Sequence, residues 1–329
     1  LAAGNGTAFF VTDAKPSMRI IVTGSIAYDY LMSFPGKFTE HLLPEHFSRV
    51  SLSFLVDSMD KRRGGCAPNI AYTLALLNER PVLMGTAGQD FGDYRQWLDA
   101  AGIDTSLVRE VPGKFTASFF CNTDAANNQI ASFYTGAMEH ASELSFRTAG
   151  AVDLAIISPN DPDAMRQYAE ECRVLGIPFI FDPGQQCARM SGQELAAGLN
   201  GARMVICNDY EFELIRQKTG LDEAGVLAHT GMLVITLGEH GCRVMTSDRK
   251  FEVPAVPVSR IEDPTGVGDA YRGGFMKGLA RGADPIVCAQ LGSVAAAYAL
   301  EHLGGSSHAY TWQEFQARYE SSFGPLSLP

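Results

Sequence analysis

Seven short apolar runs, at residues 19–26, 81–86, 154–158, 178–182, 204–207, 233–237 and 242–246, are separated by stretches of helical pattern. The helical stretches are 68–78, 94–101, 162–175, 192–199 and 209–218. Several of the runs are apolar at every position, the mark of strands covered on both faces. Strands of that kind alternating with helices give a mostly parallel sheet between two helix layers, a three-layer α/β core. Hydrophobic residues make up 46% of the 329 positions, ample for a large buried core. In such sheets ligands gather beyond the carboxyl ends of the strands. Polar residues stand just after the runs: Ser25 and Asp29, Asp182 to Gln186, Asn208 to Glu211, and Thr236 to Gly238.

Two segments break the alternation. Residues 30–63 hold an aromatic, Pro-rich stretch followed by a period-two pattern at 50–56. Residues 107–135 read as a hairpin, with arms at 115–123 and 129–134 around the turn-rich link at 124–128. The pattern predicts that the two insertions form one small β-sheet lid over the cleft. The α/β core then comprises 18–29, 64–106 and 136–329, and residues 1–17 form an extension outside the fold. Lys61-Arg62-Arg63 reads as a solvated root of the lid. An open, partly apolar sheet invites a partner, so a homodimer through the lid is expected. Residues 285–303 are apolar on nearly all faces and stop at Gly304-Gly305, which predicts a buried helix with a glycine stop.

The net charge of −11 argues against nucleic acid or an anionic membrane as a main partner, though not against a nucleotide bound at a local site. No apolar run reaches the ~20 residues of a spanning helix. The seven cysteines are at least fifteen positions apart, spell out no zinc or redox pair, and mostly sit in apolar surroundings. A reduced, cytoplasmic protein is the expectation.

The stretch Asp263-Pro264-Thr265-Gly266-Val267-Gly268-Asp269-Ala270-Tyr271-Arg272-Gly273-Gly274-Phe275 runs from a small-residue turn into a helix. A helix N-terminus carries about half a positive charge and unpaired N–H donors, so it favours an anion. Gly266 and Gly268 permit close backbone approach. Asp269 would repel the anion unless it is there to accept a proton, which points to phosphoryl transfer to a hydroxyl. A helix-start aspartate that merely offsets the macrodipole is the plainer alternative. Gly273 and Gly274 cost the helix roughly 1 kcal/mol each relative to Ala, which close packing or ligand contact would explain. There is no Walker loop, and Tyr271 stands where a dinucleotide fingerprint needs its third glycine.

The 263–269 stretch resembles the signature of the ribokinase-like (PfkB) family of carbohydrate and nucleoside kinases. Three further signatures follow the family's order: Arg63-Gly64-Gly65-Cys66-Ala67-Pro68-Asn69, Asn208-Asp209-Tyr210-Glu211, and Thr236-Leu237-Gly238 with Gly241. The likeness spans about residues 19–310. Gly24 to Asp29, Phe34 to Phe38, Ser51 to Val56, Ile130 to Tyr134 and Asp182 to Gln186 are similar to the bacterial adenosine kinase branch.

The resemblance implies a ribokinase-like fold and ATP-dependent phosphorylation of the 5′-hydroxyl of adenosine. A ribose, phosphosugar or other nucleoside kinase, or a non-enzymatic nucleoside-binding protein, are the alternatives. It makes Asp269 the base and the Gly266–Asp269 amides, Val267 and Gly268 included, an anion hole. Asp29, Gly64, Gly65 and Asn69 would hold the sugar, with Ser25 beside them. Phe119 and Phe133 would flank the base, and Gln185 and Gln186 would read sugar or base edges. Asn208 and Glu211 would order Mg²⁺ through water. Thr236, Gly238, Gly241 and Thr265 would meet ATP, and Gly292 and Ala296 its adenine. Asp263 and the Ser306-Ser307 region match the family's monovalent cation (K⁺) site. Pro264 varies the commonest signature but leaves Asp269 and the glycines intact.

Overall fold

A computed structural model describes residues 18–41 and 51–329. The extension at 1–17, and residue 50 of the period-two segment, lie outside the described residues.

The large sheet has nine strands. It starts with β1 (Ile20–Thr23), an interior strand, and the lid sheet takes the next two strands, β2 (Ala27–Ser33) and β3 (Ser58–Gly64). β4 (Val82–Ala87) and β5 (Asp104–Glu110) extend the large sheet on one side of β1. After two further lid strands, β6 (Ala117–Thr123) and β7 (Gln129–Tyr134), the other side follows. It holds β8 (Leu154–Ile157), β9 (Phe179–Phe181), β10 (Met204–Asn208) and β11 (Leu233–Thr236), with β12 (Cys242–Met245) and β13 (Lys250–Val253) at the edge. The seven strands from β5 to β11 in spatial order are parallel, and β12 and β13 are antiparallel. The strand order reverses beside β1, and that switch point opens a crevice at the carboxyl ends.

Successive strand residues feed opposite helix layers, as period two requires. Ile20 and Val22 join the apolar layer of α1 (Cys66–Leu76), α2 (Gly92–Ala100), α7 (Val267–Arg281) and α8 (Pro285–Leu300). Ile21 joins the layer of α3 (Pro162–Leu175), α4 (Gly192–Leu199), α5 (Asp209–Thr219) and α6 (Glu223–Leu227). A last helix, α9 (Trp312–Phe323), packs on α8. α8 stops at Leu300, so the expected helix to 303 ends early.

Packing explains the glycines of α7. A Cβ on Gly273 would lie 2.6 Å from Thr73 of α1, and one on Gly274 would lie 2.5 Å from the Leu291 carbonyl of α8. The helix is wedged between two others at backbone distance.

The small sheet has the order β3-β2-β6-β7. Two expectations are corrected here. Residues 51–56 form no strand; the edge strand is 58–64, whose charges Asp60, Lys61, Arg62 and Arg63 suit a solvated edge. Residues 107–110, read with the lid, belong to β5 of the large sheet, so that insertion contributes only β6 and β7 to the lid. The expected turn at 124–128 is present, with the Asp124 carboxylate accepting from the amides of Ala126, Asn128 and Phe38.

A buried cluster ties α7 to the end of α1. Glu79, 4% exposed, accepts from Lys277 Nζ at 2.6 Å and from Arg281 Nη2 at 2.7 Å. Glu79→Ala strands the Lys277 ammonium and is expected to cost about 3–5 kcal/mol in urea unfolding. A loss within about 0.5 kcal/mol, as at an ordinary surface site, would count against this account.

Candidate active site

Gly266 adopts the left-handed conformation at φ 75° and caps α7. A Cβ there would lie 2.4 Å from the Gly305 Cα, so a side chain is barred by space as well as by conformation. The first bond of the helix runs from the Ala270 amide to the Gly266 carbonyl at 2.9 Å. The amides of Gly268 and Asp269 precede it and stand at the open helix end, as an anion hole requires. Thr265 N donates to the Asp263 carboxylate at 2.9 Å and so fixes the turn.

Asp269 lies in the first turn of α7. Asn69 on α1 donates to it from Nδ2 at 2.9 Å. Burial pushes the carboxyl up to about 7, with Asp182 and Glu211 adding to the shift and Arg272 and Asn69 opposing it. Part of the side chain faces the cavity, where water tempers the shift without reversing its direction.

The cavity in front of it has a volume of about 500 Å³. Asp29 sits on β2, not in a loop after the first strand, and its register partner on β6 is Phe119. Phe119 in turn faces Phe133 on β7. The three side chains therefore form one row on one face of the lid, and all line the cavity. Burial raises Asp29 to about 6, against the pull of Arg62. Gly64 stands behind it, where a Cβ would come within 2.5 Å of Asp29 Oδ2. Gly65, at φ 96°, clears the Ser25 carbonyl, which a Cβ would approach to 2.4 Å. Ser25 Oγ accepts from the Cys66 amide at 3.3 Å. Gln185 and Gln186 reach the cavity from the turn at 184–188, and Thr265 and Gly266 close it beside Asp269. Asn69 Oδ1 and Gln186 Oε1 are buried acceptors with no partner among the described residues, so the pocket wall offers places for hydroxyl or amine donors.

The sequence reading missed Cys66, Met138, Pro159 and Arg189, which also line the cavity. Cys66 lay inside a recognised signature; the others had no local signal. It also missed the buried ion pair of Arg272 and Asp182, although both residues lay in quoted stretches.

Asn208 and Glu211 form a capping box at the start of α5, with Glu211 N donating to Asn208 Oδ1 at 2.7 Å and Asn208 N to Glu211 Oε2 at 2.8 Å. Burial and Asp182 raise the Glu211 carboxyl. Asp182, Glu211 and Asp269 thus all bear on a single guanidinium, which leaves an acidic surplus at the site. Thr236 ends β11, and Gly238 is an open left-handed turn residue at φ 57°. Gly241 makes room for the Val253 carbonyl, which a Cβ would approach to 2.0 Å. None of these lines that cavity. Gly292 lies inside the α7–α8 contact, where a Cβ would meet Tyr271, and Ala296 is half-buried against the same layer.

The cation expectation at Asp263 does not fit. One carboxylate oxygen accepts from Thr265 N, and the other accepts from Gly304 N at 2.9 Å and from Arg62 Nη1 at 3.4 Å. Donors and a guanidinium stand where K⁺ would need oxygens. Lys61 and Arg63 are exposed, as the reading of a solvated root expects, with Lys61 3.7 Å over the Tyr28 ring and Arg63 4.9 Å over Trp97; Arg62 departs from it, half-buried and bridging lid to core.

Comparisons with known proteins show the family and the fold. The description of the pfkB family carbohydrate kinases matches residues 25–312. A nucleoside kinase of Burkholderia thailandensis, solved with inosine, is 39% identical, with a TM-score of 0.83 over 93% of this chain and 98% of that one. A nucleoside kinase of Methanothermobacter thermautotrophicus is 30% identical over 93% of this chain and 96% of its own length. The adenosine kinase of Sinorhizobium meliloti, at 19% identity and a TM-score of 0.70 over 88% of this chain and 95% of that one, shares the fold.

Asp269 also sets a pH dependence of stability. A carboxyl raised to about 7 in the fold, against ~3.9 unfolded, weighs on the fold fully above its folded value and is relieved as pH falls through it. Asp269→Asn is therefore expected to raise Tm clearly more at pH 8 than at pH 5, and to leave it nearly unchanged only below the unfolded value of ~3.9. Equal shifts at both pH values would show that Asp269 ionises normally.

Proposed function

The chain belongs to the pfkB family of carbohydrate kinases, and from that premise we propose that it transfers the γ-phosphoryl group of ATP to the 5′-hydroxyl of a purine nucleoside. The observation that carries the reading is the row of Asp29, Phe119 and Phe133 facing Asp269 across one cavity. A carboxylate beside two rings suits a ligand with vicinal hydroxyls joined to a flat base. Stacking a base on such a ring is worth roughly 1–3 kcal/mol. Phe133 is 49% exposed, an apolar surface that a base would cover. The bacterial adenosine kinase motifs favour adenosine, converted to AMP. Inosine, bound by the Burkholderia relative, is the second acceptor this pocket should take.

Asp29 accepts from the ribose hydroxyls while Asn69 and Gln186 offer their unpaired oxygens. The 5′-hydroxyl lies by Asp269, which takes its proton as the new O–P bond forms. The bond from the γ-phosphorus to the bridging oxygen breaks, and ADP leaves with that electron pair. The Gly268 and Asp269 amides stabilise charge on the moving phosphoryl group. Mg²⁺, held through water by Asn208 and Glu211, would offset phosphate charge. Thr236, Gly238 and Gly241 lie beyond the acceptor cavity, on the side assigned to ATP.

The outer face of the lid supports a homodimer. Tyr30 stacks on Phe120 at 4.8 Å, and Met59, Phe120, Ile130 and Tyr134 are exposed on the face opposite Asp29. Such exposed apolar side chains on one face fit a second copy. Light scattering should report a dimer, and Phe120→Glu with Ile130→Lys should give a monomer; an unchanged mass would reject this surface.

An ADP-release assay over adenosine, inosine, guanosine and ribose tests the activity. Turnover of a purine nucleoside is expected, and turnover of ribose alone would reject the acceptor. Asp269→Asn should lower kcat by about 10²–10⁴ with nucleoside binding retained. Near wild-type turnover in that variant would remove Asp269 as the base.

A further inference from the structure

Arg272 lies one turn beyond Asp269 on α7 and is 7% exposed. Its Nη2 meets Asp182 Oδ1 at 2.6 Å while Nε meets Oδ2, a two-pronged pair. Its remaining Nη1 donates to the Gly268 carbonyl at 3.0 Å. The guanidinium lies so close over Gly268 that a Cβ there would fall 2.9 Å from Nη1. Gly268 therefore leaves room for this side chain as well as for an anion. Asp182, 1% exposed, follows β9 and opens the turn that carries Gln185 and Gln186. One side chain thus joins two separate parts of the site: the helix end bearing the amides and the base, and the turn that meets the acceptor.

We propose that Arg272 is a positioning residue, which through its fork on Asp182 and its bond to Gly268 holds the base-bearing end of α7 and the acceptor-contacting turn in one fixed arrangement. A fold rarely needs a buried ion pair for stability, since apolar residues of similar volume often serve as well. What apolar residues cannot supply is fixed direction at two acceptors together with a positive charge. The charge bears on Asp269, which is faced by Cys66 and Asn69 from α1, Tyr94 from α2, Asp182 after β9 and Glu211 from α5. Arg272 is the positive group among them, and its charge opposes the rise caused by burial.

This inference rests on the reading of Asp269 as the base. The test compares kcat/KM from pH 5.5 to 9 for the wild type, Arg272→Met, Arg272→Lys and Asp182→Asn, with adenosine or inosine as acceptor. Arg272→Met should move the acid limb up by about one pH unit, about a tenfold loss on that limb. It should also raise the acceptor KM more than the ATP KM. Arg272→Lys should return the limb towards the wild type but not the acceptor KM, because an ammonium carries the charge without the fork. A folded Arg272→Met with limb and acceptor KM unchanged, or with a kcat loss uniform in pH, overturns the proposal. If Arg272→Met does not fold, Asp182→Asn decides: the acid limb should move down while the acceptor KM rises, and the absence of both overturns it. Substantial turnover by Asp269→Asn would instead fail the base, whatever Arg272 does.

Discussion

The site depends on how closely α7 can be pressed between α1 and α8. Gly273, Gly274 and Gly278 remove the side chains that would hold the three helices apart, and their neighbours on α1 and α8 stand where Cβ atoms would be. That contact fixes the axis of α7, and the axis fixes where its N-terminal amides point. It also brings Asn69, on the first turn of α1, to Asp269. Loss of interior helix propensity at three glycines is thus offset by backbone-distance packing, and the catalytic geometry is a consequence of that packing.

Charge is distributed around this wedge with little redundancy. Asp182, Glu211 and Asp269 bear on one another, and each is raised above its ordinary value by burial. Arg272 satisfies Asp182 fully and the others only at a distance. The surplus of negative charge would be offset by the cation that the proposed reaction brings in with its phosphates. At the lid edge the arrangement is reversed, with Arg62 reaching across to Asp263.

Much of this was legible from local pattern. The spans of α3 and α4 agree with their apolar periodicity, because each carries its own caps: Asp161 and Gly176 for α3, Ser191 with Glu194 for α4. The row of Asp29, Phe119 and Phe133 follows once the hairpin register is known. What escaped has physical reasons. β3 carries four charged residues because an edge strand can solvate them, and hydrophobic pattern therefore passes over it. β5 alternates like a lid strand but is an edge of the large sheet. Arg272 and Asp182 are 90 positions apart, and no local spacing announces a contact made by the fold. The family pattern expects Gly292 at the adenine; its neighbours add a packing reason for the glycine, the close approach of Tyr271.

β1 passes into β2 through three residues, 24 to 26, so the lid grows out of the core strand at the switch point. Asp29 therefore belongs to one sheet and Asp269 to the layer covering the other. A molecule is lined up for attack only if it is long enough to touch both. Water is not. On the proposed roles of Asp29 and Asp269, this division of grip and base between two sheets would guard the phosphoryl donor against wasteful hydrolysis, with molecular length as the criterion of selection.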